Sequence, residues 1–262
     1  TFITLTNHTP WRDTELYSDY DVSDTVNVDG KDIRRDYLED KASGNYIKSV
    51  NYMDKAIGNF ILDMDSEGLL DDTVIVIYGD HDAKLTRKEI NELYNMNPET
   101  GELYTEEDLE YLDYNSFEHD LNKNTPLIIW SKNKTIQNKI KGTYSYPMGM
   151  YDVMPTIGNM LGIKNEFTIG HDIFNIKNNN IVIFPNGNFL TNNLYYNNSS
   201  EQYYVTKLGA AIDQDYIDEC KLYAERRLEV SNAMIVHDLI YNEGPTLYSE
   251  DINVIKKEQE NE

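Results

Sequence analysis

Asp80 and His81 stand side by side directly after an apolar run, in the stretch TVIVIYGDHD at residues 73–82. A carboxylate and an imidazole converging on one point form a donor pair for a divalent cation. Mixed oxygen and imidazole ligation without thiolate suits Mn²⁺ or Zn²⁺, whereas Mg²⁺ prefers an all-oxygen shell. The plainer account is a polar turn capped by an aspartate. His8, in TNHTPW at residues 6–11, closes another strand-like run and so has the same structural address as Asp80. Arg12, next to Trp11 in this polar and aromatic loop, offers a guanidinium to an anion. Lys84 follows His81 closely enough to bring an ammonium to a phosphate oxygen at the same place. For Arg12 and Lys84 the bland alternative is a solvated loop cation. His119 and His171 read as structural.

A sheet must position these residues. Val74, Ile75, Val76, Ile77 and Tyr78 carry no charge and are largely β-branched, which predicts a strand buried on both faces of a parallel sheet. Gly79 breaks the run, and a turn there lets the next two side chains converge. The carboxyl ends of strands are where open α/β sheets place their ligands. Residues 1–6 alternate like a strand, and PLIIW at residues 126–130 predicts a third. Between the first two, Tyr46, Val50, Met53, Ile57, Ile61 and Met64 recur every three or four residues and predict an amphipathic helix over 42–64. A helix feeding straight into a buried strand is βαβ grammar. Residues 18–40 read as an acidic surface loop without the spacing of a Ca²⁺ loop. The charged insertion after His81, reaching to about Glu118, reads as a lid or specificity loop. A helix entered at Pro155 points Ile157, Met160 and Leu161 inward and stops at Gly162. Beyond Asn175, short runs separated by Asn-Gly and Asn-Ser turns predict antiparallel strands, followed by a helix over 215–240. The expected fold is α/β: a doubly wound, mainly parallel sheet over residues 1–175, then a small C-terminal α+β subdomain over 176–262.

Composition narrows the functions. The 262 residues carry 46 acidic against 23 basic side chains, a formal net charge of −23, which disfavours a nucleic-acid groove or a basic membrane patch. Cys220 is the only cysteine, so neither an intrachain disulfide nor a cysteine-rich zinc site exists. No stretch approaches the roughly 18 uninterrupted apolar residues of a transmembrane helix, and no signal peptide is recognisable. The chain opens on a strand-like run with Thr1 rather than Met; the expectation is that it starts inside a domain whose upstream part is missing.

Taken together, TNHTPW at 6–11, YIKSV at 46–50, DKAIG at 54–58, GLL at 68–70, TVIVIYGDH at 73–81, TPLII at 125–129, DVMPTI at 152–157 and GHDIF at 170–174 resemble, in this order and spacing, the C-terminal part of the extracellular catalytic domain of lipoteichoic acid synthases. These form a sulfatase-like branch of the alkaline phosphatase superfamily. The resemblance implies an enzyme anchored by N-terminal transmembrane helices at the outer face of a Gram-positive-type membrane. Its partners are phosphatidylglycerol and a growing glycerol phosphate polymer, and glycerol phosphate passes through a phosphothreonine. It implies one divalent cation, typically manganese or magnesium, held by a Glu, the nucleophilic Thr and the Asp-His pair matching Asp80 and His81. It puts the residue matching His8 at the substrate phosphate. The Glu and Thr have no counterpart in these 262 residues. The expected site is thus His8 as the catalytic group, His8, Trp11, Arg12 and Lys84 around the substrate, and Asp80 and His81 on the metal, with Mn²⁺ placed before Mg²⁺ or Zn²⁺. Related enzymes that hydrolyse sulfate, phosphate or phosphonate esters or transfer phosphoethanolamine share the Gly-Asp-His framework, and a non-catalytic binding protein is the other alternative.

Overall fold

Residues 1–11, 17, 19–176 and 180–243 are described by the computed structural model, and contacts group the chain into two units, Thr1–Lys141 and Gly142–Glu262. In the first unit, strands β1 (Asp24–Val28) and β2 (Lys31–Arg35) pair antiparallel with Val26 opposite Ile33. Asp29 and Gly30 join them at φ 51° and 79°, both left-handed, as a two-residue hairpin turn requires. Part of the expected acidic loop is therefore a hairpin. Its Asp-Gly signal was legible, but five of the ten strand residues are charged and only Val26, Val28 and Ile33 are apolar, too few to mark two strands.

Helix α1 (Ala42–Ser66) follows. Tyr46, Val50, Met53, Ile57, Ile61 and Met64 are its half-buried stripe, while fully buried positions gather at its start. There Lys48 is buried and donates to Glu39 at 2.8 Å, as a buried ammonium must. Strand β3 (Val74–Tyr78), helices α2 (Arg87–Tyr94) and α3 (Ser116–Leu121), strand β4 (Leu127–Ser131) and helix α4 (Lys134–Ile140) complete the unit.

The α/β class stands, but two strand expectations are corrected. Strand β3 pairs with β4 antiparallel, Val74 opposite Ser131 and Tyr78 opposite Leu127. An apolar run reports burial and says nothing of direction, which the intervening connection sets. Moreover, β3 is half-buried, with Tyr78 exposed, so it is not sealed on both faces. Residues 1–6 pair with no strand among the described residues, and Phe2, Ile3 and Leu5 are exposed. Alternation alone does not make a strand, because its backbone donors need a neighbour.

In the second unit a 3-10 turn (Met150–Asp152) leads into α5 (Val153–Leu161), which Gly162 ends at φ 71°. Val153 and Thr156 are buried and Leu161 is exposed; Leu161 lies off the stripe made by Val153, Thr156, Ile157 and Met160, contrary to expectation. Strands β5 (Val182–Ile183), β6 (Phe189–Leu190), β7 (Leu194–Asn197) and β8 (Gln202–Val205) form an antiparallel meander, followed by α6 (Gln214–Val236) and α7 (Leu239–Glu243). Phe189 stacks on Tyr196 at 4.9 Å between ring centres, within a core completed by Ile217, Cys220 and Ala224 of α6.

The unit boundary at Gly142 precedes the change in composition near Asn175, for a reason visible in Asp152. Its buried carboxylate accepts the backbone N–H of Gly149 (2.8 Å), the backbone N–H of His171 (2.8 Å) and the Asn180 amide (3.1 Å). Tyr151 adds a hydroxyl that accepts the Ile183 N–H at 2.8 Å. Residues 142–175 are stitched to the meander through these bonds. Gly170 allows the stitch, since a Cβ there would lie 2.1 Å from the Tyr151 carbonyl oxygen. Asp152→Ala strands three donors, each costing about 1–3 kcal/mol when left unpaired. The expected result is a loss of about 3 kcal/mol or more in urea unfolding followed by circular dichroism, with Asp152→Asn, which keeps one oxygen, falling between.

Candidate active site

Gly79 extends the β3 ladder by one bond, its N–H donating to the Pro126 carbonyl at 3.2 Å. A Cβ there would come within 2.8 Å of Thr125 Cβ, so glycine is needed for space. Directly beyond it, Asp80 Oδ1 and His81 Nε2 approach to 3.8 Å. The His81 Nδ1–H donates to the Asp82 carbonyl at 2.7 Å. That bond fixes the tautomer and leaves Nε2 with a lone pair towards Asp80, the arrangement that prepares an imidazole to bind a metal. His81 is 32% exposed and Asp80 79%, so the pair sits at an open edge.

His8 arrives from a separate stretch. Its backbone N–H donates to Leu5 (3.1 Å) and its Nδ1–H to the Thr9 carbonyl (2.6 Å), again freeing Nε2. The ring stands 5.3 Å from that of His81, at 85°. The structure thus brings together His8, Asp80 and His81.

The other sequence-predicted residues are placed differently. Trp11 donates its indole N–H to the Asn7 carbonyl (2.9 Å), and its ring lies 5.2 Å from that of Tyr46. Arg12 lies outside the described residues. Lys84, at φ 60°, donates its backbone N–H to Asp82 Oδ2 (3.1 Å), and its ammonium is 3.4 Å from Asp82 Oδ1. Its charge is thus engaged by a carboxylate. Burial pulls the Asp82 carboxyl up, but the Lys84 N–H and ammonium outweigh it and hold its pKa below the ordinary value. Burial, and then the Asp82 charge, raise the Tyr46 phenol above its usual range. Sequence reasoning missed Asp82 and placed Tyr46 only in the amphipathic stripe of α1; the missed signal was the position of Tyr46 on the first turns of that helix, not its helical spacing. His119 packs edge-on to Tyr114, and His171 accepts from Arg227 at 3.1 Å within the second unit.

Asp80 and His81 fit part of a metal shell: one carboxylate oxygen and one pre-oriented imidazole nitrogen. Among the described residues no group of three or more His, Cys, Asp and Glu side chains converges to complete it.

The Sulfatase family profile matches residues 1–163. Lipoteichoic acid synthases of Staphylococcus saprophyticus (30% identical over 242 residues) and Staphylococcus aureus (32% over 243) match 91% and 90% of the chain. The chain spans only 32% of the length of each, about a third of the curated relatives. The crystal structure of the lipoteichoic acid synthase LtaP from Listeria monocytogenes superposes with a TM-score of 0.62 at 24% identity, covering 88% of this chain and 52% of that one, and so shares the fold. The chain belongs to the sulfatase family, and lipoteichoic acid synthases are among the proteins it is similar to.

Proposed function

We propose that this chain forms part of a metal-dependent phosphoglycerol transferase. It moves glycerol phosphate from phosphatidylglycerol to a lipoteichoic-acid-type polymer through a phosphothreonine, at the outer face of the membrane. The observation that carries the reading is the approach of the His8 ring to His81, itself beside Asp80 at the end of β3, with both imidazoles holding Nδ1 on a backbone carbonyl. Kinship with lipoteichoic acid synthases supports the choice of substrate.

Asp80 and His81 would hold a divalent ion, Mn²⁺ first among the candidates, which would polarise the phosphoryl oxygens and lower the pKa of a coordinated hydroxyl. The chain's own residues do the rest. The Asp82 carbonyl keeps the His81 ring turned so that Nε2 faces the Asp80 side. The Thr9 carbonyl does the same for His8, whose Nε2, protonated before the donor binds, gives that proton to the departing lipid alkoxide and leaves the ring neutral with Nδ1–H still on Thr9. Trp11, braced on Tyr46, fixes the loop that carries His8. In this reading the nucleophilic threonine, the remaining metal ligands and the membrane attachment come from outside these residues; among the described residues no helix is long and apolar enough to cross a membrane.

The test uses the full-length gene product in detergent with fluorescent phosphatidylglycerol. Diacylglycerol release that stops in EDTA and returns with Mn²⁺ is the expected result. Release of sulfate from an aryl sulfate, with phosphatidylglycerol untouched, would overturn the transferase reading in favour of a sulfatase.

A further inference from the structure

The insertion that follows His81 is held at its far tip by a residue distant from it in sequence. Half-buried Arg35, the last residue of β2, donates its Nε–H to the Pro98 carbonyl at 3.3 Å and an Nη2–H to the Glu99 carbonyl. Its neighbour Arg34 is paired with two carboxylates, Asp21 and Asp36. Arg35 has none within 4 Å among the described residues, although the chain carries 46 acidic side chains. Its guanidinium is spent on main chain instead, and a planar fork spans two successive carbonyls as the point charge of a lysine cannot. A second tie, Lys41 to Glu92 of α2 at 3.5 Å, is solvent-exposed and correspondingly weak, so the fork, whose donor is charged, is the stronger.

What Arg35 holds extends well beyond the tip. Asn97 closes residues 97–102 on themselves, its N–H on the Glu102 carbonyl (2.9 Å) and its carbonyl on the Gly101 N–H (2.8 Å). An antiparallel bridge between Met96 and Leu103, and the Tyr104 N–H on the Asn95 carbonyl (2.7 Å), join this tip to the end of α2. There the buried Asn95 amide gives its NH₂ to the Leu112 carbonyl at 3.0 Å and accepts the Leu112 N–H at 2.8 Å. Tyr94 stacks on Tyr114 at 5.4 Å between ring centres, and Tyr114 meets His119 of α3 edge-on at 6.0 Å. Tip, α2 end and α3 are thus one bonded and packed body. Tyr94 and His119 of that body form one side of a cleft of about 260 Å³, with Tyr46 and Asp82, the residue after His81, on the other.

We infer that Arg35 is a positioning residue for the strand-end site: by pinning the tip through two carbonyls, it fixes the aromatic wall that the insertion presents beside Asp80 and His81. The metal-binding pair and His8 lie outside the insertion, so loosening it leaves them in place. A wall that contacts substrate equally before and during the reaction contributes to KM and not to kcat. The effect on turnover rests on the transferase reading above; the hold on the insertion does not.

Hydrogen exchange read by mass spectrometry on the full-length gene product in detergent tests the hold. In Arg35→Ala, amides over residues 95–119 should exchange at least about tenfold faster, corresponding to about 1.4 kcal/mol of local stability, while α1, β3 and β4 keep their rates. Arg35→Lys, which keeps the charge and loses the fork, should recover only part of the protection. Unchanged exchange in Arg35→Ala overturns the inference. With phosphatidylglycerol, Arg35→Ala should raise KM about tenfold and keep kcat within about threefold, leave the Mn²⁺ affinity unchanged, and regain part of the loss in Arg35→Lys. Faster exchange with KM and kcat both at wild-type values would make Arg35 a purely structural residue, which also overturns the inference. If Arg35→Ala loses protection throughout the protein, Arg35→Lys decides by the same two readings, since its exchange must still quicken over residues 95–119 alone. Exchange needs neither metal nor lipid donor, so its failure is separable from failure of diacylglycerol release, which tests the transferase reading.

Discussion

His81→Ala in the full-length protein is expected to raise the Kd for Mn²⁺ at least about 100-fold by calorimetric titration, and to abolish turnover at micromolar metal. Losing a partner that merely orients a ligand already costs about 10–100-fold in affinity; losing the ligand itself should cost no less. The geometry supports a first-order effect because His81 is prepared in advance: its Nδ1–H is committed to the Asp82 carbonyl at 2.7 Å, so no rotation or tautomer change precedes binding. Asp80→Asn keeps an oxygen and removes the charge, and should fall between the wild type and His81→Ala. Lys84→Ala is the contrast. Its ammonium sits on Asp82 at 3.4 Å, so removing it should leave the Mn²⁺ affinity within about a factor of three, an exposed ion pair being worth about 0–1 kcal/mol. An unchanged affinity in His81→Ala would remove the metal assignment.

The strand-end position of this pair was legible from residues 73–82, because an uncharged β-branched run broken by Gly79 predicts a strand that ends there; a metal-binding use was not, since a polar turn capped by an aspartate accounts for the same residues. Local pattern also located the stripe of α1, the Gly162 stop of α5 and the four strands of the meander, all of them short-range features. Non-local facts stayed hidden. That β3 and β4 run antiparallel depends on how the insertion returns the chain, and no residue within either strand encodes it. The exposure of Phe2, Ile3 and Leu5 depends on a pairing partner that the described residues do not supply. At the site, sequence reasoning aimed Lys84 at the substrate but overlooked Asp82, whose carboxylate engages that ammonium. Tyr46 reads as one more member of the α1 stripe, because helical spacing cannot tell a residue facing a sheet from one facing a cleft at the helix start.

His8→Ala should lower kcat for phosphatidylglycerol by about 10²–10⁴-fold, the usual worth of a general acid, while KM for the lipid changes little. Two roles are chemically open to an imidazole beside the phosphoryl group, binding its oxygens or protonating the leaving alkoxide, and the leaving group separates them. A lipid alkoxide departs poorly unless protonated, whereas p-nitrophenolate leaves without help. If His8 donates the proton, the variant should transfer glycerol phosphate from a p-nitrophenyl ester at nearly the wild-type rate while failing on the lipid. If it binds phosphate, both donors should suffer equally, because both present the same phosphoryl oxygens. The first outcome is the expected one. The Nδ1–H is spent on the Thr9 carbonyl at 2.6 Å, and the ring meets His81 edge-on at 85°, so Nε2 is the one ring atom left to exchange a proton with a bound ester. Equal losses on the two donors would assign His8 to phosphate binding and leave the proton to water.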